Sequence, residues 1–258
     1  MSLHLVLPAA GIGKRFREVG FEMAKPLIPV HGIPMILWVL ANFPIEKFNK
    51  IWIITQKKDR IPENLVPFLG LAANKVTFIE LEGITDGPAC TLEIALEQMD
   101  NNDSVISANT DQYVFNELDP FVNSLMNRDF AGSVLTMTAS GNAWSYVGRD
   151  TDGSVSRIVE KIQISNEATV GIYGWSRVFH AKDSIKEMMS VNDRVNKEFY
   201  VGPSYNYLIS KNFKIDSKHV GQHGTSVHGL GVPIDLQNFL ARTDTLKLAE
   251  HCRKILGI

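Results

Sequence analysis

Between residues 3 and 108, short apolar runs alternate with segments whose apolar residues recur at helical spacing. Residues 3–7, 51–55, 76–81 and 104–108 have the length and composition of buried strands. Residues 34–43, 59–69 and 89–99 lie between them and read as helices; in the last, Leu92, Ala95, Leu96 and Met99 share one face. Strands separated by helices return to a sheet in the same direction, so this alternation predicts a parallel sheet with helices packed on its faces.

The second half changes character. Strands are predicted at residues 133–138, 145–147, 155–159, 169–175, 213–220 and 225–230. The turn Asp150-Thr151-Asp152-Gly153 signals a hairpin between the second and third of these. Helices are predicted at 178–189, 204–209, 233–241 and 245–256. There is no repeat, low-complexity tract or break in composition, so the second half is expected to complete the same sheet and add a lobe.

Composition removes several classes. Hydrophobic residues at 45% and charged residues at 21% exclude a disordered or coiled-coil chain. Lys plus Arg is 26 against 28 Asp plus Glu, without the basic excess of a nucleic-acid binder. Two cysteines, Cys90 and Cys252, form neither a disulfide framework nor a CxxC pair, which points to a reduced, cytoplasmic setting. No apolar run approaches the ~20 residues of a membrane helix. The N-terminus lacks the basic and apolar regions of a signal peptide. The expected partners are therefore small molecules, with neither nucleic acid nor membrane; oligomeric state stays open.

The densest chemistry follows the first strand, in Leu7-Pro8-Ala9-Ala10-Gly11-Ile12-Gly13-Lys14-Arg15-Phe16. Small residues and glycines let backbone N–H groups approach an anion closely. Phe16 stands where a dinucleotide fingerprint needs its third glycine, and no Gly-Lys-Ser/Thr closes the loop as in a P-loop. Downstream, Lys25-Pro26-Leu27-Ile28-Pro29-Val30 and Gly32-Ile33-Pro34-Met35 follow. Arg15 and Lys25 could bring two positive charges to one polyphosphate, on a loop that the prolines stiffen.

These two linked motifs resemble the N-terminal signature of the sugar-phosphate nucleotidyltransferases, also called nucleoside-diphosphate-sugar pyrophosphorylases. The resemblance implies a three-layer α/β/α, Rossmann-like domain with a mixed, mainly parallel sheet. It would span residues 1–258 as one domain, with a nucleotide half over about 1–130 and an acceptor half over about 131–258. It implies nucleotidyl transfer from an NTP to a phosphorylated acceptor, with Mg²⁺ as cofactor. Arg15, Lys25 and Asp111 would be catalytic. Ala9, Ala10, Gly11 and Gly13 would hold the nucleotide's phosphates, and Gly87 and Ala89, in Asp86-Gly87-Pro88-Ala89-Cys90, would read the base. Glu160, Lys161 and Gly171 would bind the acceptor.

Asp111, in Asn109-Thr110-Asp111-Gln112, is the expected metal ligand just beyond a strand end, where α/β ligands bind. The segment Gly231-Val232-Pro233-Ile234-Asp235-Leu236 resembles a family element that an aspartate often precedes by two residues as second metal ligand. Here that position is Gly229. Asp235 is the other metal candidate, its alternative role being at the helix start; Asn109 and His228 are the remaining polar groups that could face the ion. A cytidylyltransferase for a non-sugar phosphate such as phosphocholine, or a non-catalytic nucleotide-binding relative, would share the same signature.

Read from the residues alone, several of these positions have a second expectation. Glu160 and Lys161 are adjacent on a strand, so their side chains should point to opposite faces unless the chain bends. Gly171 marks either a bulge or a close ligand approach. Cys90 is expected as a small buried apolar residue. His219, His223 and His228 lack cysteine partners and are expected as surface turn residues, not zinc ligands.

Overall fold

A computed structural model of the chain describes residues 1–115 and 118–258. β1 (Leu3–Pro8) leads through the glycine loop into α1 (Lys14–Glu18). A ribbon of β2 (Pro29–Val30) and β3 (Ile33–Pro34) turns the chain into α2 (Met35–Leu40), and β4 (Lys50–Gln56), α3 (Ile61–Leu65), β5 (Val76–Leu81), α4 (Pro88–Leu96), β6 (Ser104–Ala108) and β7 (Gln112–Val114) follow. The second half runs α5 (Asp119–Asn127), β8 (Gly132–Thr138), β9 (Ser145–Arg149), β10 (Val155–Glu160), β11 (Glu167–Trp175), α6 (Val178–Ser190) and α7 (Val201–Ile209). It closes with β12 (Ile215–Gln222), β13 (Val227–Gly229), α8 (Pro233–Ala241) and α9 (Thr245–Leu256).

The expected mixed, mainly parallel sheet is present. Its block β6-β1-β4-β5 is parallel throughout, and the antiparallel pairs all involve β9, β10 or β11. Leu5 and Leu7 of β1 pack with α2 and α9 on one face, while Val6 packs with α4 on the other. Helices on both faces bury both sets of side chains, which is why these strands read as unbroken apolar runs.

Two expectations are corrected. The helix predicted over residues 59–69 is divided into the 3-10 turn Lys57–Asp59, α3 and the 3-10 turn Val66–Phe68. Pro67 has no N–H to donate to an α-helical ladder, so the helix cannot run through it. The strands predicted at 213–220 and 225–230 join different sheets. β12 extends the large sheet parallel to β8, whereas β13 leaves it to pair with β7, bringing Gly229 opposite Gln112.

β11 changes partner along its length. Ala168 pairs with Tyr146 of β9, and residues 172–175 pair with β6. Between them the register against β8 slips, and Gly171 takes φ 82°. A Cβ there would lie 2.3 Å from Asn109 Nδ2, so the bulge requires glycine.

Candidate active site

The segments after β1 and β6 open onto a cleft of about 290 Å³ lined by Arg15, Asp111, Trp144, Glu160, Lys161, Gly171 and Asp235. A larger groove of about 910 Å³ along Phe43, Tyr113 and His251 contains none of the predicted site residues. Volume alone would favour the groove, but the convergent charged groups are in the cleft, so we take the cleft as the site.

Of the predicted residues in this region only Arg15 lines the cleft; Ala9, Ala10, Gly11, Gly13 and Lys25 do not. Ala9 N–H donates to the Ile54 carbonyl at 2.7 Å, and the Ala10 carbonyl accepts from Gln56 Nε2 at 2.6 Å. Both alanines are buried, and these groups anchor the loop to β4. Gly11 is exposed. Gly13 caps α1 with φ 62°, and a Cβ on it would press on Lys25 Cβ at 3.1 Å. The loop thus folds directly against the residue that carries the second cation. Arg15 is exposed on the cleft wall, and among the described residues no carboxylate pairs with it.

Lys25 Nζ donates to Asp111 Oδ2 at 2.7 Å. Leu230 N–H donates to the Asp111 carbonyl at 2.7 Å, and a Cβ on Gly231 would lie 2.1 Å from Asp111 Oδ2. The strap 229–231 therefore closes over this carboxylate. At its other end, Asp235 Oδ2 is 3.6 Å from where a Gly229 Cβ would sit. Asp235 is in the first turn of α8 and makes no side-chain cap bond. Among the described residues no cluster of three or more His, Cys, Asp or Glu forms a complete metal cage. Two carboxylates on one cleft are nonetheless the oxygen donor set that suits Mg²⁺, which keeps several waters and borrows phosphate oxygens.

Glu160 and Lys161 both line the cleft. Lys161 takes φ 59°, a left-handed bend that breaks the strand alternation and meets the condition under which both side chains can face one cleft. Its N–H donates to the Trp144 carbonyl at 2.8 Å, which pins the bend. Glu160 is 7% exposed and accepts a hydrogen bond from the Ser145 hydroxyl. Burial pushes its carboxyl above the usual range, while the Ser145 bond and the Lys161 charge oppose that. Behind it, Thr169 and Tyr173 hydroxyls are 2.9 Å apart.

Gly87 and Ala89 are committed differently. Ala89 N–H donates to the Phe199 carbonyl at 3.0 Å, Phe199 N–H donates to the Asp86 carbonyl at 2.9 Å, and a Gly87 Cβ would meet Phe199 N at 2.5 Å. This turn is stapled to the chain before α7, and Pro88 is the residue of the turn that reaches the cleft wall. Asp86 does not cap α4 but pairs with Arg194 at 3.0 Å. Cys90 is only partly buried, whereas Cys252 is fully buried; both are free thiols.

The histidine expectation holds only in part. His219 is exposed and His223 lies tilted against Trp144 with ring centroids 5.0 Å apart, but His228 is 5% exposed and meets Phe239 edge-on at 5.1 Å. Its neighbour Val227 is buried as well, so β13 is covered on both faces at this point. Gln112 and Tyr200 also line the cleft. Gln112 directly follows the quoted Asp111 and could have been suspected from that neighbour. Tyr200 lies in no motif, and only the packing of α7 against β10 brings it there.

Residues 4–203 match the family described as nucleotidyl transferase. No curated protein sequence gives a significant match. Among solved structures, a nucleoside-diphosphate-sugar pyrophosphorylase from Vibrio cholerae RC9 aligns with TM-score 0.78 and 23% identity, over 92% of this chain and all of that one. A protein assigned as a glucose-1-phosphate thymidylyltransferase from Bacillus anthracis gives 0.74 and 18%, over 92% and 93% of the two chains. The inositol-1-phosphate CTP transferase from T. maritima gives 0.70 and 13%, over 98% and 96%. At these identities the structures establish a shared fold. No helix among the described residues is long and apolar enough to cross a membrane.

Proposed function

The chain belongs to the nucleotidyl transferase family, and on that basis we propose that it transfers a nucleotidyl group from an NTP to a sugar 1-phosphate, giving an NDP-sugar and pyrophosphate. The observation that carries this reading is one cleft lined by Arg15, Asp111, Glu160 and Lys161, with Lys25 joined to it through its ion pair with Asp111. Several cations around one cleft suit two phosphorylated substrates, and the Glu160 carboxylate suits acceptor hydroxyl groups.

In the reaction, an acceptor phosphate oxygen attacks the α-phosphorus. The new O–P bond forms as the bond to the bridging α–β oxygen breaks, and pyrophosphate leaves with the electron pair. The nucleophile is already an oxyanion, so no base is required. Arg15 and Lys25 bind the triphosphate and neutralise the departing pyrophosphate; Gly11 and Gly13 give it room against the loop. Lys161 steers the acceptor phosphate, Glu160 accepts hydrogen bonds from acceptor hydroxyls, and Gly171 leaves space beside them. Asp111 and Asp235 would hold Mg²⁺, which when bound supplies charge neutralisation at the α-phosphate. In this reading Gly87 and Ala89 keep the base-side turn narrow, through the Phe199 staple.

A second reading, transfer to a non-sugar phosphate, is favoured by the likeness to the inositol-1-phosphate CTP transferase. Both are tested by crossing the four NTPs against sugar 1-phosphates, inositol phosphate and phosphocholine, with pyrophosphate release as readout. The sugar reading requires the highest kcat/KM on a sugar 1-phosphate. Release from no pair, with folded protein, removes both.

A further inference from the structure

We propose that Tyr200 is a positioning residue that holds the Lys161 ammonium at the acceptor end of the cleft. The inference rests on the nucleotidyl-transfer reading for its biological meaning, but its geometry stands alone.

Lys161 Nζ donates to the Tyr200 hydroxyl and lies 4.1 Å from the centroid of the Tyr200 ring. Tyr200 is in turn the N-cap residue of α7, and α7 packs against β10, so the ring is held beside the strand that Lys161 directly follows. The other end of the lysine is fixed by its backbone bond to Trp144. A long flexible side chain is thereby held at both ends.

The choice of a tyrosine matters. Among the described residues no carboxylate lies within ion-pair distance of Lys161, in contrast to Lys25 with Asp111. A carboxylate partner would cancel the charge that attracts a phosphate. A tyrosine orients the ammonium through its ring face and hydroxyl oxygen and leaves the charge intact. Burial, and then the Glu198 and Glu160 carboxylates around it, keep the Tyr200 hydroxyl protonated.

The test compares Tyr200→Phe, Tyr200→Leu, Lys161→Met and Lys161→Met/Tyr200→Leu, using inorganic phosphate as calorimetric probe and the KM of each substrate as kinetic readout. Tyr200→Leu should weaken phosphate binding and raise acceptor KM by about tenfold, with NTP KM unchanged. Tyr200→Phe keeps the ring and should lose about two- to threefold. The double variant should be no worse than Lys161→Met alone. Equal effects on both substrates, full additivity in the double variant, or unchanged phosphate binding in a folded Tyr200→Leu would overturn the proposal. If Tyr200→Leu does not fold, Tyr200→Phe decides: an unchanged acceptor KM and phosphate affinity there also overturn it. Phosphate binding that depends on the pair without any pyrophosphate release would instead sink the reaction and leave the positioning role standing.

Discussion

The Lys25 ammonium lies 2.7 Å from the Asp111 carboxylate, joining two segments 86 residues apart, with side chains 22% and 20% exposed. This pair links the glycine-loop region to the end of β6, and it places one cation on the carboxylate that a divalent ion would use. Under the proposed function, lysine and metal would compete for Asp111 until a triphosphate offers the ammonium another anion.

Lys25→Met should cut turnover by about 10²-fold or more, because a preorganised charge is lost from the leaving group. The same substitution should tighten binding of Mn²⁺ alone by about two- to fivefold, the scale of a partly exposed ion pair. Electron paramagnetic resonance titration of the protein without nucleotide measures this directly. Weaker Mn²⁺ binding in Lys25→Met would contradict the competition.

Chelation by EDTA should stop turnover and Mg²⁺ should restore it. Asp111→Asn should lose activity while remaining folded, since a neutral amide is a poor ligand for a hard cation. Gly231→Ala should behave similarly by pushing the Asp111 carboxylate aside, given the 2.1 Å approach. Asp235→Ala should change stability by less than about 0.5 kcal/mol, because no cap bond is lost. It should nevertheless weaken Mg²⁺ dependence. A normal Mg²⁺ titration in Asp235→Ala would leave Asp111 as the sole carboxylate ligand.

Glu160 should cost stability at neutral pH. Its carboxyl is raised by burial, so the folded protein binds that proton more tightly than the unfolded chain does. Stability from this group is present at low pH and lost as pH rises through the folded value. Glu160→Gln keeps an acceptor for Ser145 and should raise Tm at pH 7, while increasing acceptor KM. A lower Tm at pH 7 with normal acceptor KM would refute both expectations.

Acid sensitivity should come first from histidine. His228 is lowered to about 4, chiefly by burial and then by Arg242, and His31 and His180 are also lowered by burial. Each protonates less readily when folded than when unfolded. Their contribution to stability is present above about pH 6.5 and declines as pH falls below it; for His228 the loss down to pH 4 is roughly 3 kcal/mol. Urea midpoints across this window should flatten in His228→Leu; an undiminished slope would point elsewhere.

The linear sequence determines the local elements of this protein to a large extent. The bounds of β5, β6, α8 and α9 follow from runs at residues 76–81, 104–108, 233–241 and 245–256, because burial on two faces and helical periodicity leave imprints within a few neighbouring residues. The glycine loop, Lys25 and Asp111 stand out for a similar reason: the phosphate-binding role proposed for them would demand particular residue types. Short elements such as β7 and α1 leave too few residues for a period, and β13 is recognisable as a strand but not by its partner. Tertiary structure decides what depends on distant chain segments. It brings Lys25 to Asp111, staples Ala89 to Phe199, sends β13 to β7 and places Tyr200 on Lys161. It also decides the left-handed bend at Lys161, a conformation that a lysine adopts only when surrounding contacts, here with Trp144 and Tyr200, compensate its local cost.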